Sequence, residues 1–282
     1  MGLATALAQT VRLRPHHHSR HARKVDAGWL APASSCLSIS GRPAPANDRR
    51  HSPSSPRTAP VKKVLVVDIG GTHIKALASG RRTVAKVPSG PNLTPRDMVK
   101  RVLDATRGWD YDVVSIGYPG AVVRGRITRE PVNLGKGWGR FNFERAFDRP
   151  VRLINDAAMQ ALGSYAGKRM LFLGLGTGLG TTLVHEGVVV PLELAHLPYR
   201  NGKSYEDYVG DAGLRRLGLK KWRQHVFRVV ELFADATISD YVVLGGGNVR
   251  LLTELPPKTR RGNNAHAFRG GFRLWQDAAT YT

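Results

Sequence analysis

The chain has 282 residues, an ordinary apolar share of 41% and a single cysteine, Cys36. That length holds one large domain or two small lobes with a sizeable core, and one cysteine excludes a disulfide framework and any cysteine-based zinc site. The formal net charge is +22; residues 1–60 hold nine Lys and Arg against two Asp and Glu, which leaves +15 on the other 222 residues. Such an excess favours anionic partners, or serves only solubility. No window has the length of a transmembrane helix, and the cysteine usage suits a reducing, cytoplasmic compartment.

Residues 1–60, rich in Arg, His, Pro and Ser, are expected to be a disordered basic tail. Their Arg-rich, acid-poor start also has the composition of a targeting segment, without a secretory apolar region. Order is expected from Val61 onward. "VLVVDIGGTHIKALASG" (64–80) reads as strand, glycine turn, strand. "TPRDMVKRVLDATRG" reads as a helix, with Thr94 as N-cap, Pro95 in its first position and Gly108 past its end. "YDVVSIGYPG" is a strand entering a loop, "PVRLIND" a strand ending on an acid, and "AAMQALGSYAG" a helix. "MLFLGLGTGLGTTLVHEGVVV" repeats strand, glycine turn, strand about a hundred residues after the first such unit. Two helices follow, 204–218 and 219–237, the first opened by a capping box of Ser204 and Asp207. "YVVLGGGNVRLLTEL" is strand, glycine turn, helix. The order implies two similar α/β lobes facing each other across a cleft, one over 61–154 and one over 155–282.

The glycine turns carry the chemistry. Gly70 and Gly71 let backbone N–H groups approach an anion, and Thr72 adds a hydroxyl. Asp68 repels a phosphate but can hold a hydrated Mg²⁺ that binds one. A tight hairpin with a turn Asp would look the same. "GLGTGLG" offers a second cradle through Gly176, Thr177 and Gly178, and "LGGGN" a third through Gly245, Gly246 and Gly247, the last opening a helix. Lys75 lies beside the first turn. A phosphoryl transfer to a hydroxyl also needs a base. Asp156 in "LIND" can accept the hydroxyl proton and Asn155 can orient that hydroxyl; the bland role for Asp156 is a helix cap. Glu193 and His196 stand in an apolar frame, "LELAHLPY", where a sugar's hydroxyls could satisfy them.

Taken together these motifs resemble the ROK family of sugar kinases, within the actin-like ATPase superfamily, over about residues 62–275. The resemblance implies a two-lobed α/β fold of the actin-like (ribonuclease H-like) type and Mg²⁺-dependent transfer to the primary hydroxyl of glucose or a similar hexose. It implies Asp156 as base and Asn133, Asn155, Glu193, His196 and Glu206 as sugar contacts. The family's Cys-rich zinc segment is replaced by "HLPYRNGKSYEDYVG", so no zinc is expected. That replacement resembles the polyphosphate-dependent glucokinase branch, and the donor is polyphosphate or ATP. Ala195 stands where the family usually has glycine before the histidine. A run of Arg215, Arg216, Lys220, Lys221 and Arg223 could follow a long polyanion, or be a solvated helical face. No specific nucleic-acid or membrane partner is expected, and a homodimer is compatible with the pattern. A non-catalytic sugar-sensing regulator is the rival reading; the absence of a helix-turn-helix pattern in 1–60 and the presence of Asp156 count against it.

Overall fold

The computed structural model describes residues 62–276 and the backbone of 280–281; the expectation of a disordered tail over 1–60 falls outside them. Strand β1 (Val64–Ile69) is apolar along almost its whole length because both its faces are covered, and Asp68 is the one break in the run. The turn at 70–72 leads into β2 (His73–Ala78), antiparallel to β1, which sets Lys75 opposite Asp68. Strand β3 (Ala85–Pro88) extends this ladder. Helix α1 (Pro95–Ala105) starts as the sequence predicts: Thr94 Oγ1 accepts from Asp97 N at 3.2 Å, and Met98, Val99 and Val102 are buried. Strand β4 (Val113–Tyr118) returns parallel to β1. A small hairpin, β5 (Val122–Val123) with β6 (Arg126–Ile127), and helix α2 (Phe143–Phe147) precede β7 (Val151–Asn155), parallel to β4. The first sheet therefore runs β3-β2-β1-β4-β7.

Helix α3 (Asp156–Ser164) leads to a second sheet built the same way. Strands β8 (Met170–Leu175), β9 (Leu179–His185) and β10 (Val188–Leu192) form another antiparallel triplet. A short hairpin, β11 (Pro198–Arg200) with β12 (Lys203–Ser204), and helices α4 (Glu206–Val209) and α5 (Asp211–Ala236) cross over to β13 (Tyr241–Gly245), parallel to β8. Then come β14 (Thr259–Arg261), helix α6 (His266–Arg273) and β15 (Thr280–Tyr281), giving the order β14-β13-β8-β9-β10-β15. Apart from β15, the succession of triplet and two parallel strands is that of the first sheet, so the internal repeat read from the glycine turns is a repeat of topology. This is the two-lobed actin-like arrangement.

The layers follow from where the apolar side chains go. Leu65, Val67 and Ile116 pack with Met98 of α1 and Phe143 and Phe147 of α2 on one side of the first sheet. Val64, Val66 and Val113 on its other side share a cluster with Met159 and Leu162 of α3, Phe268 of α6, and Phe172 and Val184 of the second sheet. Leu171, Leu173 and Val242 pack outward on Trp222, Val226 and Val230 of α5. Helices α3 and α6 are thus the shared middle layer. They touch nearly backbone to backbone: a Cβ on Gly270 would lie 1.7 Å from Met159 O.

One predicted feature comes out differently: the segment after "LGGG" is a 3₁₀ helix of five residues, Gly247–Leu251, rather than an α-helix. The break predicted at Gly218 is present, where φ 72° and ψ 162° leave the helical range and divide α5 into two helical stretches. The capping box is present, with Ser204 N and Oγ donating to Asp207 Oδ2 and Asp207 N donating to Ser204 Oγ.

Candidate active site

Asp156 stands where β7 turns into α3. Asn155 is the cap: its Oδ1 accepts from Ala158 N at 3.0 Å, and its Nδ2 donates to Gly120 O at 3.0 Å, tying the helix start to the Tyr118-Pro119-Gly120 loop after β4. Asp156 Oδ1 accepts from Ala157 N at 2.7 Å. Gly117 sits in register with Asp68 on the neighbouring strand, and a Cβ there would lie 2.3 Å from Met159 Cε and 3.5 Å from Asp156 Cα. The missing side chain lets α3 settle against β4. Burial, then the Asp68 charge, push the Asp156 carboxyl up to about 7. Burial also raises Asp68, opposed by Lys75, whose Nζ is 3.8 Å from Asp68 Oδ2. A carboxylate that titrates near neutrality is matched to accepting a proton from a hydroxyl.

The glycine turns flank this acid. In the first, Gly70 N donates to His73 O at 3.0 Å, while Gly71 and Thr72 are exposed. A Cβ on Gly71 would meet only Asn133 Cβ, at 3.9 Å, so the turn is open on that side and Asn133 stands beside it. On the other side of Asp156, a Cβ on Gly180 of β9 would lie 2.7 Å from Ala157 Cβ, which brings the second hairpin against the start of α3.

The second and third turns form one assembly. Asp211 N donates to Gly176 O (3.0 Å) and Thr177 O (3.2 Å), and Asn248 Nδ2 donates to Gly176 O (3.3 Å) and to Asp211 Oδ1 (2.5 Å). Gly246 takes φ 85°, and a Cβ there would lie 2.2 Å from Leu175 O. Gly245 is buried against the Phe172 ring, whereas Gly176 and Gly247 face open space and Thr177 is exposed. Asp211 and Asn248, the residues that join the turns, carry no signal in the sequence, since an Asp after glycine and an Asn in a loop are ordinary.

The remaining candidates divide. Glu206 is a first-turn helix acid, but it points inward: its Oε2 accepts from Leu179 N at 2.9 Å and lies 2.3 Å from where a Cβ on Gly178 would be. Glu193 and His196 are mostly exposed and pair with each other, Oε2 to Nε2 at 3.3 Å. The expectation that an apolar frame leaves them unsatisfied is corrected by that exposure. Buried Thr181, which the sequence reading passed over, ties Glu193's loop to β9 by donating to Leu192 O (2.6 Å) and accepting from Leu194 N (3.3 Å). In the basic run, Arg223 Nε donates to Leu251 O at 2.8 Å, and Arg216 lies over the Tyr208 ring while donating to Asp207 O. These two brace the protein, whereas Arg215, Lys220 and Lys221 are exposed. No cluster of three metal-ligating side chains occurs among the described residues. Asp68 nonetheless fits Mg²⁺, which is held by one or two carboxylates together with water and phosphate oxygens. Asp68 and Asp156 are two half-buried acids, each raised by burial, with the Lys75 ammonium set beside Asp68.

No family model matches the chain. Its fold is that of the ROK sugar kinases. Residues covering 75% of it align with 98% of a ROK family glucokinase from Streptomyces griseus, solved in complex with glucose and AMPPNP, at a TM-score of 0.60 and 18% identity. An inorganic polyphosphate/ATP-glucomannokinase from Arthrobacter sp. aligns over 76% of this chain and 98% of its own, at a TM-score of 0.65 and 21% identity. In sequence, the chain is 26% identical over 269 residues to the polyphosphate glucokinase of Mycobacterium leprae, covering 86% of this chain and 80% of that one. These similarities each span three quarters or more of the chain.

Proposed function

We propose that this protein is a sugar kinase that moves a phosphoryl group from polyphosphate, or from ATP, to the primary hydroxyl of glucose or a similar hexose. The observation that carries the reading is Asp156: an acid at a helix start, titrating near neutrality, set between two glycine turns and raised in part by the charge of a second acid, Asp68. Asp156 takes the proton of the attacking hydroxyl as that oxygen bonds to phosphorus and the bond from phosphorus to the donor's bridging oxygen breaks, releasing ADP or polyphosphate one unit shorter. The turns at 70–72 and 176–178 present backbone N–H groups and threonine hydroxyls to the phosphates. Asp68 is the residue to hold Mg²⁺, which when bound offsets the charge of the phosphates and supports their approach to the two acids. Asn133, beside Gly71, and Glu206, beside Gly178, are assigned to the sugar with Asn155, Glu193 and His196.

Polyphosphate is preferred as donor because of the +15 outside residues 1–60 and the polyphosphate-using relatives. Lys75, Arg215, Lys220 and Lys221 remain as its contacts. The site is assigned to one lobe boundary near residue 155, with a cytoplasmic location; no helix among the described residues is long and apolar enough to cross a membrane. The test is direct: purified protein with glucose and Mg²⁺, with polyphosphate or ATP as donor, reading sugar 6-phosphate in a coupled assay. Transfer from polyphosphate that weakens steeply with salt supports the donor assignment, because each cation–phosphate contact releases counterions. Use of ATP at every salt, with polyphosphate inert, makes it an ATP-dependent kinase.

A further inference from the structure

The segment 197–206 joins two of the proposed sugar residues, His196 and Glu206, and little of its backbone holds it. Its hairpin has strands of three and two residues in a sheet of their own, too small to be stable alone. Leu197 O accepts from Tyr205 N at 3.2 Å and closes the loop. Beside the Ser204–Asp207 cap and the Glu206 contact, its aromatic packing centres on Tyr199. That ring stacks on Tyr205 with centroids 4.6 Å apart, meets Tyr208 edge-on at 5.1 Å and meets His225 of α5 edge-on at 5.7 Å. Its hydroxyl lies 3.1 Å from His225 Nδ1. Tyr205 in turn rests on Phe233 at 4.6 Å, and Tyr208 on His225 at 4.7 Å.

We infer that Tyr199 and His225 are a positioning pair for sugar recognition, holding segment 197–206 on α5 so that Glu206 meets the second glycine turn and His196 stays beside it. This rests on the sugar-kinase reading above. Glu206 has no slack, since its Oε2 is bonded to Leu179 N and fills the space where Gly178 lacks a side chain. A turn of the hairpin about its own axis would withdraw it. Tyr205 is its chain neighbour, so the Tyr199–Tyr205 stack acts on Glu206 directly. Burial, then Arg200 and Arg216, hold the His225 pKa below its ordinary value. In the neutral tautomer protonated on Nε2, Nδ1 accepts a hydrogen bond from the Tyr199 hydroxyl. Aromatic pairs and one part-buried hydrogen bond are each of modest strength, and their convergence on one ring makes the segment rigid.

The experiment compares wild type with Tyr199→Phe and His225→Phe, which keep the ring contacts and remove the hydrogen bond. Hydrogen exchange over 197–206 and the KM values for glucose and for the donor are measured. Faster exchange in 197–206 with α5 unchanged is expected. So is a rise in glucose KM of about 2- to 10-fold, the worth of one hydrogen bond, with the donor KM held within about 2-fold. Unchanged exchange in both variants overturns the pairing. Faster exchange with an unchanged glucose KM, or an equal rise in donor KM, overturns its link to the sugar. If wild type phosphorylates no hexose, the kinase reading fails and the sugar half of this inference falls with it, while the exchange data still decide whether the pair holds the segment.

Discussion

Asp156 carries opposite signs for stability and for activity. Its folded pKa of about 7 lies above the 3.8 of an ordinary Asp. Between roughly pH 4 and 7 the folded protein holds a proton that the unfolded chain gives up, so stability falls as pH rises through that window. Activity runs the other way, because the proton-accepting form appears only as pH climbs past about 7. Asp156→Asn is therefore expected to lower kcat by about 10²–10⁴-fold while leaving the melting temperature at pH 8 equal to or above that of wild type. A fall in melting temperature with nearly normal kcat would remove Asp156 from the chemistry. Asn155 teaches a related lesson. Sequence alone left Asp156 to be either the base or the helix cap, and the structure gives the cap to Asn155.

At the scale of elements, the glycines of the third turn are not equivalent. Gly246→Ala forces a side chain into a left-handed backbone and against Leu175 O, and is expected to destabilise the protein by about 1–3 kcal/mol. Gly247→Ala meets nothing within 4 Å, so the fold should tolerate it. Any rise in donor KM that it causes reports a ligand approaching that face. Melting curves and donor KM values for both variants separate the two roles; equal melting temperatures would contradict the geometry. The strands and the first helix were legible because their signals are local: period, caps and glycine breaks. The break at Gly218 was legible too, whereas the 3₁₀ helix after the third turn and the Asp211–Asn248 bridge were not, because tertiary contacts create them. Arg223 and Arg216 look free in the sequence for the same reason, since the carbonyls they bind, at Leu251 and Asp207, are reached only through the fold. Glu193 and His196 misled in the other direction, their apolar neighbours suggesting a burial that the short 3₁₀ turn at 194–196 does not provide.

Across the whole molecule, the repeat of topology builds two sheets, and the α3–α6 layer joins them. Ser115, fully buried in the first sheet, donates to Gly271 O at 2.6 Å and accepts from Trp275 Nε1 at 3.0 Å, fastening α6 and the residues after it to β4. Ser115→Ala leaves both groups unsatisfied and is expected to cost about 1–3 kcal/mol, or several degrees in melting temperature. An unchanged melting temperature would show that the anchor does not stabilise the middle layer. That layer matters because α3 carries Asp156 at one end and contacts both sheets, so β4 of the first sheet and β9 of the second meet at its N-terminus. The central claim is that this meeting place transfers phosphoryl groups to a hexose. The most direct measurement is ³¹P NMR of purified protein with glucose, Mg²⁺ and polyphosphate or ATP, run alongside Asp156→Asn. A sugar 6-phosphate signal that grows with wild type and is almost lost with the variant is the predicted result; no sugar phosphate from either donor, or equal amounts from both proteins, would contradict it.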